Sequence, residues 1–270
     1  MLHTLAVAAA ITCPDWPQEK PVNAPPEKRL TGRIARERIR MLTTPAPPAG
    51  AVERFKAIGD PTGVISDAMD ELGIPLGVIG ASVLRPTIPG TTMVGPALTV
   101  RNILQRIDPL EGAANAVNRM AEFEAHNLAT PGDVLVIQGV AAVSNMGGIS
   151  AQTGKRQGEA GAVVMGAIRD IAHSRAVGYP LWASEISPVT GKWRLETVEI
   201  NGAVQIGDIR VEPGDLVVAD DTGVCFIPRG RILDVLELAE RKAKAEEVRC
   251  KAIDGGIPVP DLSRATYGET

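Results

Sequence analysis

Aromatic side chains are scarce in this 270-residue chain, which holds three Phe, three Trp and two Tyr. With 44% apolar residues a sizeable core is available. That core has to be assembled from Ala, Val, Ile and Leu, a composition suited to a buried sheet covered by helices. At about 150 residues per domain the length allows one or two domains. The first fifty residues differ from the rest, and the remainder suits one α/β domain. Lys and Arg total 28 against 32 Asp and Glu, a net charge of −4 without a long basic block. This argues against a sequence-independent grip on nucleic acid, and no apolar run reaches the length of a membrane span.

Several chemistries lack their residues. Cys13, Cys225 and Cys250 are odd in number and widely spaced, so neither a disulfide framework nor a zinc site is indicated. His3, His126 and His173 are too scattered for a polyhistidine centre, and no G-x-S-x-G, H-E-x-x-H or Walker sequence occurs. Any bound metal would rest mainly on carboxylates.

The order of elements is readable. Met1 to Cys13 is a short apolar run without the preceding positive charge of an export signal, which favours a cytoplasmic protein. Five prolines between Pro14 and Pro26 read as a linker, and Glu27 to Leu42 reads as an amphipathic helical arm with Leu30 and Ile34 on its apolar stripe. Residues 1–50 are therefore taken as an extension, 51–255 as the main domain and 256–270 as a tail. Within the domain we expect helices over Thr62–Leu72, Glu111–Leu128, after Gly148, from Asp170 and over Arg229–Lys251. Met93–Arg101 reads as a strand interrupted at Gly95-Pro96, and Ala162–Met165 as a buried strand. Pro131-Gly132-Asp133 and Pro213-Gly214-Asp215 each precede a four-residue apolar run, suggesting one turn device used in two β-layers. Strands crowd together after Leu181, which favours a layered α/β domain over a regular doubly wound sheet.

Ser144–Asp170 holds the densest chemistry. Gly147-Gly148 before a helix would bare backbone N–H groups to an anion. Arg169-Asp170 follows a strand and offers a planar cation beside a carboxylate able to hold a divalent ion through oxygen. Elsewhere, Asp220-Asp221 before Thr-Gly reads as a turn, Cys225 as a buried thiol, and Glu122, Glu124 and His126 as a solvated helix face.

Gly148, twenty intervening residues and then Arg169-Asp170 resembles the signature of the divalent-metal-dependent pyruvate aldolases. These are the 4-hydroxy-4-methyl-2-oxoglutarate / 4-carboxy-4-hydroxy-2-oxoadipate aldolases, similar in fold to the regulator of ribonuclease activity A (RraA). The likeness continues through Gly178-Tyr179-Pro180, Ser187-Pro188 and Ala219–Val224. It implies a swivelling β/β/α domain, a homotrimer or hexamer, and Mg²⁺ or Mn²⁺ held by Asp170. It further implies Arg169 at the 2-oxo group, amides of Gly148, Ile149 and Ser150 at the pyruvyl carboxylate, and Lys192 and Asn118 near the rest of the substrate. Glu246 or Glu247 from a neighbouring subunit would orient metal-bound water. His173 stands where the pattern has an acidic residue, and would serve at most as an outer partner of the metal.

The implied activity is retro-aldol release of pyruvate from a 4-hydroxy-2-oxo diacid, of the kind used in aromatic degradation, with oxaloacetate decarboxylation as a side activity. A metal-held water is the expected general base. Two alternatives are a non-catalytic regulatory binding protein and a hydratase or isomerase of a 2-oxo acid on the same scaffold.

Overall fold

The computed structural model describes residues 28–264. The apolar N-terminal run and the proline-rich linker lie outside the described residues. Two short helices, α1 (Ala51–Lys56) and α2 (Pro61–Glu71), precede strands β1 (Val78–Gly80), β2 (Arg85–Pro86) and β3 (Met93–Leu104). Helices α3 (Pro109–Ala114) and α4 (Glu122–Leu128) lead to β4 (Val134–Gln138), β5 (Ser144–Met146), α5 (Gly148–Gln157), β6 (Gly161–Ile168) and α6 (Ile171–Ala176). A run of six strands follows: β7 (Leu181–Ile186), β8 (Leu195–Ile200), β9 (Val204–Ile206), β10 (Ile209–Val211), β11 (Leu216–Ala219) and β12 (Gly223–Ile227). Helices α7 (Ile232–Asp254) and α8 (Val259–Arg264) close the described chain. None of its helices is long and apolar enough to cross a membrane.

Ten strands form one mixed sheet in the order β1-β12-β11-β3-β4-β6-β7-β2, with β5 added to β6 and β8 to β3. β3, β4, β6 and β7 run parallel, and β11 and β8 join β3 antiparallel at different parts of its length. One group of buried residues joins α4, α5 and the sheet through Ala125, Leu128, Ala151, Leu135 and Val164. A second packs α1, α2 and α7 on β11 and β12, and a third gathers Trp182, Val136, Val163 and the β9–β10 hairpin. The result is a layered β/β/α arrangement built largely from aliphatic side chains.

β3 runs unbroken through Gly95-Pro96, against the expected interruption. Pro96 pairs with Leu216 of β11 and β4 pairing begins at Ala97, so the missing N–H falls where β3 changes partner. Gly95 is needed there because a Cβ would lie 2.0 Å from the Gly132 carbonyl oxygen. The single helix expected over Glu111–Leu128 is two short ones separated by Asn115–Ala121, with Ala116 at φ 54°.

The arm also departs from expectation. Among the described residues of that stretch, only Arg36–Arg38 makes a helical turn, and Gly32 is left-handed at φ 76°. Ile34 and Ile39 are nevertheless buried, and the Arg40 N–H donates to the Ile200 carbonyl at 2.9 Å. The apolar residues anchor an extended segment along β8 instead of forming one helical stripe.

The two Pro-Gly-Asp turns share their chemistry. Asp133 Oδ2 accepts the Thr130 N–H at 2.9 Å, and Asp215 Oδ2 accepts the Glu212 N–H at 2.8 Å. Gly132 and Gly214 take the positive φ that such turns require, at 96° and 85°. Asp215 Oδ1 also accepts the Arg229 N–H at 2.9 Å, tying β11 to the entry of α7. Burial pushes the proton affinity of both carboxyls upward, and these N–H donors counter it.

A buried polar chain fixes α4 against α5. His126 is enclosed, with Nδ1 2.7 Å from Glu159 Oε1 and Nε2 2.7 Å from Ser150 Oγ. Tyr179 donates its hydroxyl to Glu159 Oε2 and to the Gly161 carbonyl. Burial raises the proton affinity of the Tyr179 phenolate, so that oxygen stays the donor. The reading of Glu122, Glu124 and His126 as a solvated face is therefore overturned for its core members. Glu124 Oε2 accepts the Thr31 and Gly32 N–H groups at 2.7 and 3.2 Å and thereby clamps the arm.

His126→Ala leaves Glu159 Oε1 and Ser150 Oγ without their buried partner and is expected to lower folding stability by about 3 kcal/mol. Asp215→Ala, which orphans two backbone donors, is expected to cost about 1–3 kcal/mol. Denaturant titration of each variant measures both; a loss below about 0.5 kcal/mol would show that the groups are satisfied in another way.

Candidate functional site

β5 and β6 are adjacent parallel strands, with Met146 paired to Ile168. The two segments singled out in the sequence leave their carboxyl ends side by side. That is where α/β sheets present loops to ligands. Gly147 caps α5 and Asp170 caps α6, the latter in the left-handed conformation at φ 57° and ψ 42°. Asp170 Oδ2 accepts the Gly148 N–H at 3.0 Å and lies 3.5 Å from Arg169 Nε.

Glycine is required at position 148, where a Cβ would sit 2.8 Å from His173 Cγ and 3.1 Å from Asp170 Cβ. That close approach lets the aspartate reach the first turn of α5. Asp170 is 48% exposed and Arg169 32%, so both present polar atoms to solvent.

A cleft of about 300 Å³ opens over this junction. Asn118, Gly148, Ile149, Ser150, Arg169, Asp170 and Lys192 all line it. Arg33, Met120, Glu122 and Phe123 complete the wall with Gly147. Arg33 escaped the sequence reading because the arm was taken for a separate element, and Glu122 because its helix looked solvated. Neither carries a local motif; only the packing of α4 and the arm brings them here.

The expected anion cradle is altered in one respect. The Gly148 N–H is engaged by Asp170, leaving the Ile149 and Ser150 N–H groups as the donors of that turn without partners among the described residues. Asn118 Oδ1 accepts the Met120 N–H at 3.1 Å, which leaves the amide nitrogen as the donor end of that side chain. His173 does not line the cleft; its Nε2 lies 3.0 Å from Gln152 Oε1 on the exposed side of α6. Glu246 and Glu247 are exposed on α7 and do not line it either, and Glu247 pairs with Lys251.

Among the described residues no group of three or more His, Cys, Asp or Glu side chains could hold a metal ion. Asp170 is thus a single-carboxylate donor. Its Oδ1 makes no hydrogen bond among the described residues, a donor set suited to Mg²⁺ or Mn²⁺ that keeps most of its water. Two other expectations for acidic and thiol groups hold. Asp220 is a structural acceptor, taking the Thr62 and Thr222 N–H groups at 3.0 and 2.8 Å. Cys225 is enclosed within β12, and burial raises its thiol far above the ordinary range, so it is inert as a nucleophile.

The family profile described as "RraA-like: Aldolase/RraA" matches residues 62–226. A protein of Halalkalibacterium halodurans named "Putative 4-hydroxy-4-methyl-2-oxoglutarate aldolase" is 33% identical over 208 residues, covering 76% of this chain and 90% of that protein. Protein DlpA of Legionella pneumophila is 31% identical over 174 residues, which make up 64% of this chain but only 27% of that protein. The crystal structure of Streptomyces coelicolor RraAS2, described as an unusual member of the RNase ES inhibitor RraA protein family, superposes with a TM-score of 0.64. It is 28% identical, with 76% of this chain and 97% of that one covered. An uncharacterized protein of Pseudomonas syringae pv. tomato shares the fold with a TM-score of 0.67 at 23% identity, over 81% of this chain and 99% of that one. On the extent of the profile match and of the aligned relatives, this chain belongs to the RraA-like family.

Proposed function

We propose that the protein is a divalent-metal-dependent lyase that cleaves a C–C bond of a 4-hydroxy-2-oxo diacid and releases pyruvate. The observation that carries this reading is the convergence of Arg169, Asp170 and the first turn of α5 on one cleft that Lys192 and Arg33 also enter. Three cationic side chains against two carboxylates, Glu122 and Asp170, suit a dianionic ligand. The likeness to the Halalkalibacterium protein supplies the substrate class.

In this reading the Ile149 and Ser150 N–H groups hold the carboxylate next to the 2-oxo group. Arg169 donates to the 2-oxo oxygen and stabilises the negative charge that gathers there as the bond breaks. Lys192 and Arg33 take the distal carboxylate, and the Asn118 amide adds a neutral donor. Asp170, anchored through Oδ2, keeps Oδ1 for Mg²⁺ or Mn²⁺, which when bound would polarise the 2-oxo group as a Lewis acid. Loss of CO₂ from oxaloacetate develops charge on the same oxygen, so the same residues would promote that reaction. Glu246 and Glu247 could contribute only from a second copy of the chain, and the trimer or hexamer belongs to this proposal. His173 is left with a packing contact against Gly148 and no direct task.

The kinship with RraAS2 and the single-carboxylate metal set favour a second reading, a regulatory protein that binds a partner without catalysis. Pyruvate release from 4-hydroxy-4-methyl-2-oxoglutarate and from oxaloacetate separates the two. Turnover with Mg²⁺ or Mn²⁺ that ceases with chelator supports the lyase, whereas its absence under both conditions supports the regulator. Arg169→Ala is expected to lower kcat about 10²–10³-fold, as removal of a donor from a developing oxyanion does. An unchanged rate would remove Arg169 from the mechanism.

A further inference from the structure

We infer that the N-terminal arm is the specificity element of the cleft. It holds Arg33 in the cleft wall, where the guanidinium selects 2-oxo acids with a second carboxylate over those with only one. Glu124 is the positioning residue through which the arm does this. The inference rests on the reading of the cleft as a 2-oxo acid site and adds what sets the choice among such acids.

The arm is fastened on both sides of residue 33. Ahead of it, Lys28 Nζ donates to the Leu128 and Ala129 carbonyls at 3.1 and 2.5 Å, and Asn127 Nδ2 donates to the Arg29 carbonyl at 2.9 Å. The enclosed Glu124 Oε2 accepts the Thr31 and Gly32 N–H groups and, at 2.5 Å, the Thr31 hydroxyl. Just after it, Ile34 is buried in the core that also holds Ala125 and Leu128. Gly32 turns the backbone between these anchors at φ 76°, a value that favours glycine. Residue 33 is therefore placed by its neighbours and not by its own side chain.

Arg33 is exposed and lines the cleft. Among the described residues its guanidinium has no ion pair and no hydrogen bond; only its backbone N–H is engaged, by Thr31 Oγ1. The arginines that follow on the same segment serve the fold. Arg36 Nη1 donates to the Ile39 carbonyl at 2.8 Å, Arg38 pairs with Glu196 at 2.8 Å, and Arg40 pairs with Glu199 at 2.5 Å. A guanidinium offers a planar, permanently charged fork that matches a carboxylate. Anchoring the backbone beneath it lowers the ordering cost of binding. The arm also lies ahead of residues 62–226, the span that the family profile matches. The Arg169–Asp170 floor and the choice of substrate thus reside in separate parts of the chain.

The test measures, by calorimetry on the full chain with Mg²⁺ present, the binding of 2-oxoglutarate and of 2-oxopentanoate. The second acid has the same carbon chain with a methyl group in place of the distal carboxylate. Wild type is expected to prefer 2-oxoglutarate. Arg33→Ala is expected to weaken 2-oxoglutarate about 10–100-fold and 2-oxopentanoate by less than about threefold, and Arg33→Lys to recover part of the preference. In cleavage of 4-hydroxy-4-methyl-2-oxoglutarate the Arg33→Ala loss is expected in KM with kcat little changed. Glu124→Ala is expected to erode the same preference while Arg33 is still present. Gly32→Ala, whose added methyl meets nothing within 4 Å but strains the turn, is expected to do so from the arm's side.

Equal affinity of wild type for the two acids overturns the inference, as does an Arg33→Ala that weakens both equally. A preference unchanged in both Glu124→Ala and Gly32→Ala overturns the arm as the device that holds Arg33. Pyruvate release by a wild type without the preference leaves the lyase reading standing and overturns this inference alone. A preference that Arg33→Ala abolishes, in a protein that releases pyruvate from no substrate, removes the lyase reading and supports the arm as the selector.

Discussion

The 3.0 Å hydrogen bond from the Gly148 N–H to the Asp170 carboxylate joins the outlets of two neighbouring parallel strands. It forms only because residues 147 and 148 have no side chains and Asp170 accepts a left-handed backbone. A non-glycine residue in that conformation carries a backbone cost of about 1–3 kcal/mol, which surrounding structure must offset. Here the offset comes from the hydrogen bond itself and from Arg169 alongside. The same contact orients one carboxylate oxygen inward and frees the other, so the geometry of the cleft floor follows from a steric vacancy.

Around that floor, the walls depend on polar groups buried inside the fold. His126 joins Ser150 of α5 to Glu159, and Tyr179 closes the chain from the loop after α6. Glu124, two residues before His126, reaches the other way and fastens the arm that delivers Arg33. Helix α4 is thus a hub whose acidic and imidazole groups face protein on nearly every side. Glu122, at the start of that helix, is among the residues that line the cleft.

The legible parts of the molecule were those set by local chemistry. The Pro-Gly-Asp turns, the left-handed glycines and the apolar runs after them specify turn and strand within a few residues, and β4 and β11 begin as that rule requires. Helices α2 and α7 and strand β6 agree with their apolar spacing to within three residues at each end. The failures share one cause. The arm, the break at Asn115–Ala121 and the burial of Glu124 and His126 depend on donors and pockets supplied by distant residues. Alternation of charged and apolar residues reads the same whether a helix face meets water or a satisfied polar network.

The amino-acid sequence by itself determined an aliphatic, sheet-centred core, the two turns that start its strands, and the pairing of a glycine turn with an Arg-Asp dipeptide. These follow from side-chain volume, backbone permissiveness and the order of residues, all of which act at short range. Only the tertiary structure decided that the Gly148 N–H is given to Asp170, that Arg33 arrives from an extended arm, and that Glu122 joins the wall of the cleft. Each of those outcomes is a competition for hydrogen-bond partners between segments far apart in the chain, and such a competition is settled by packing.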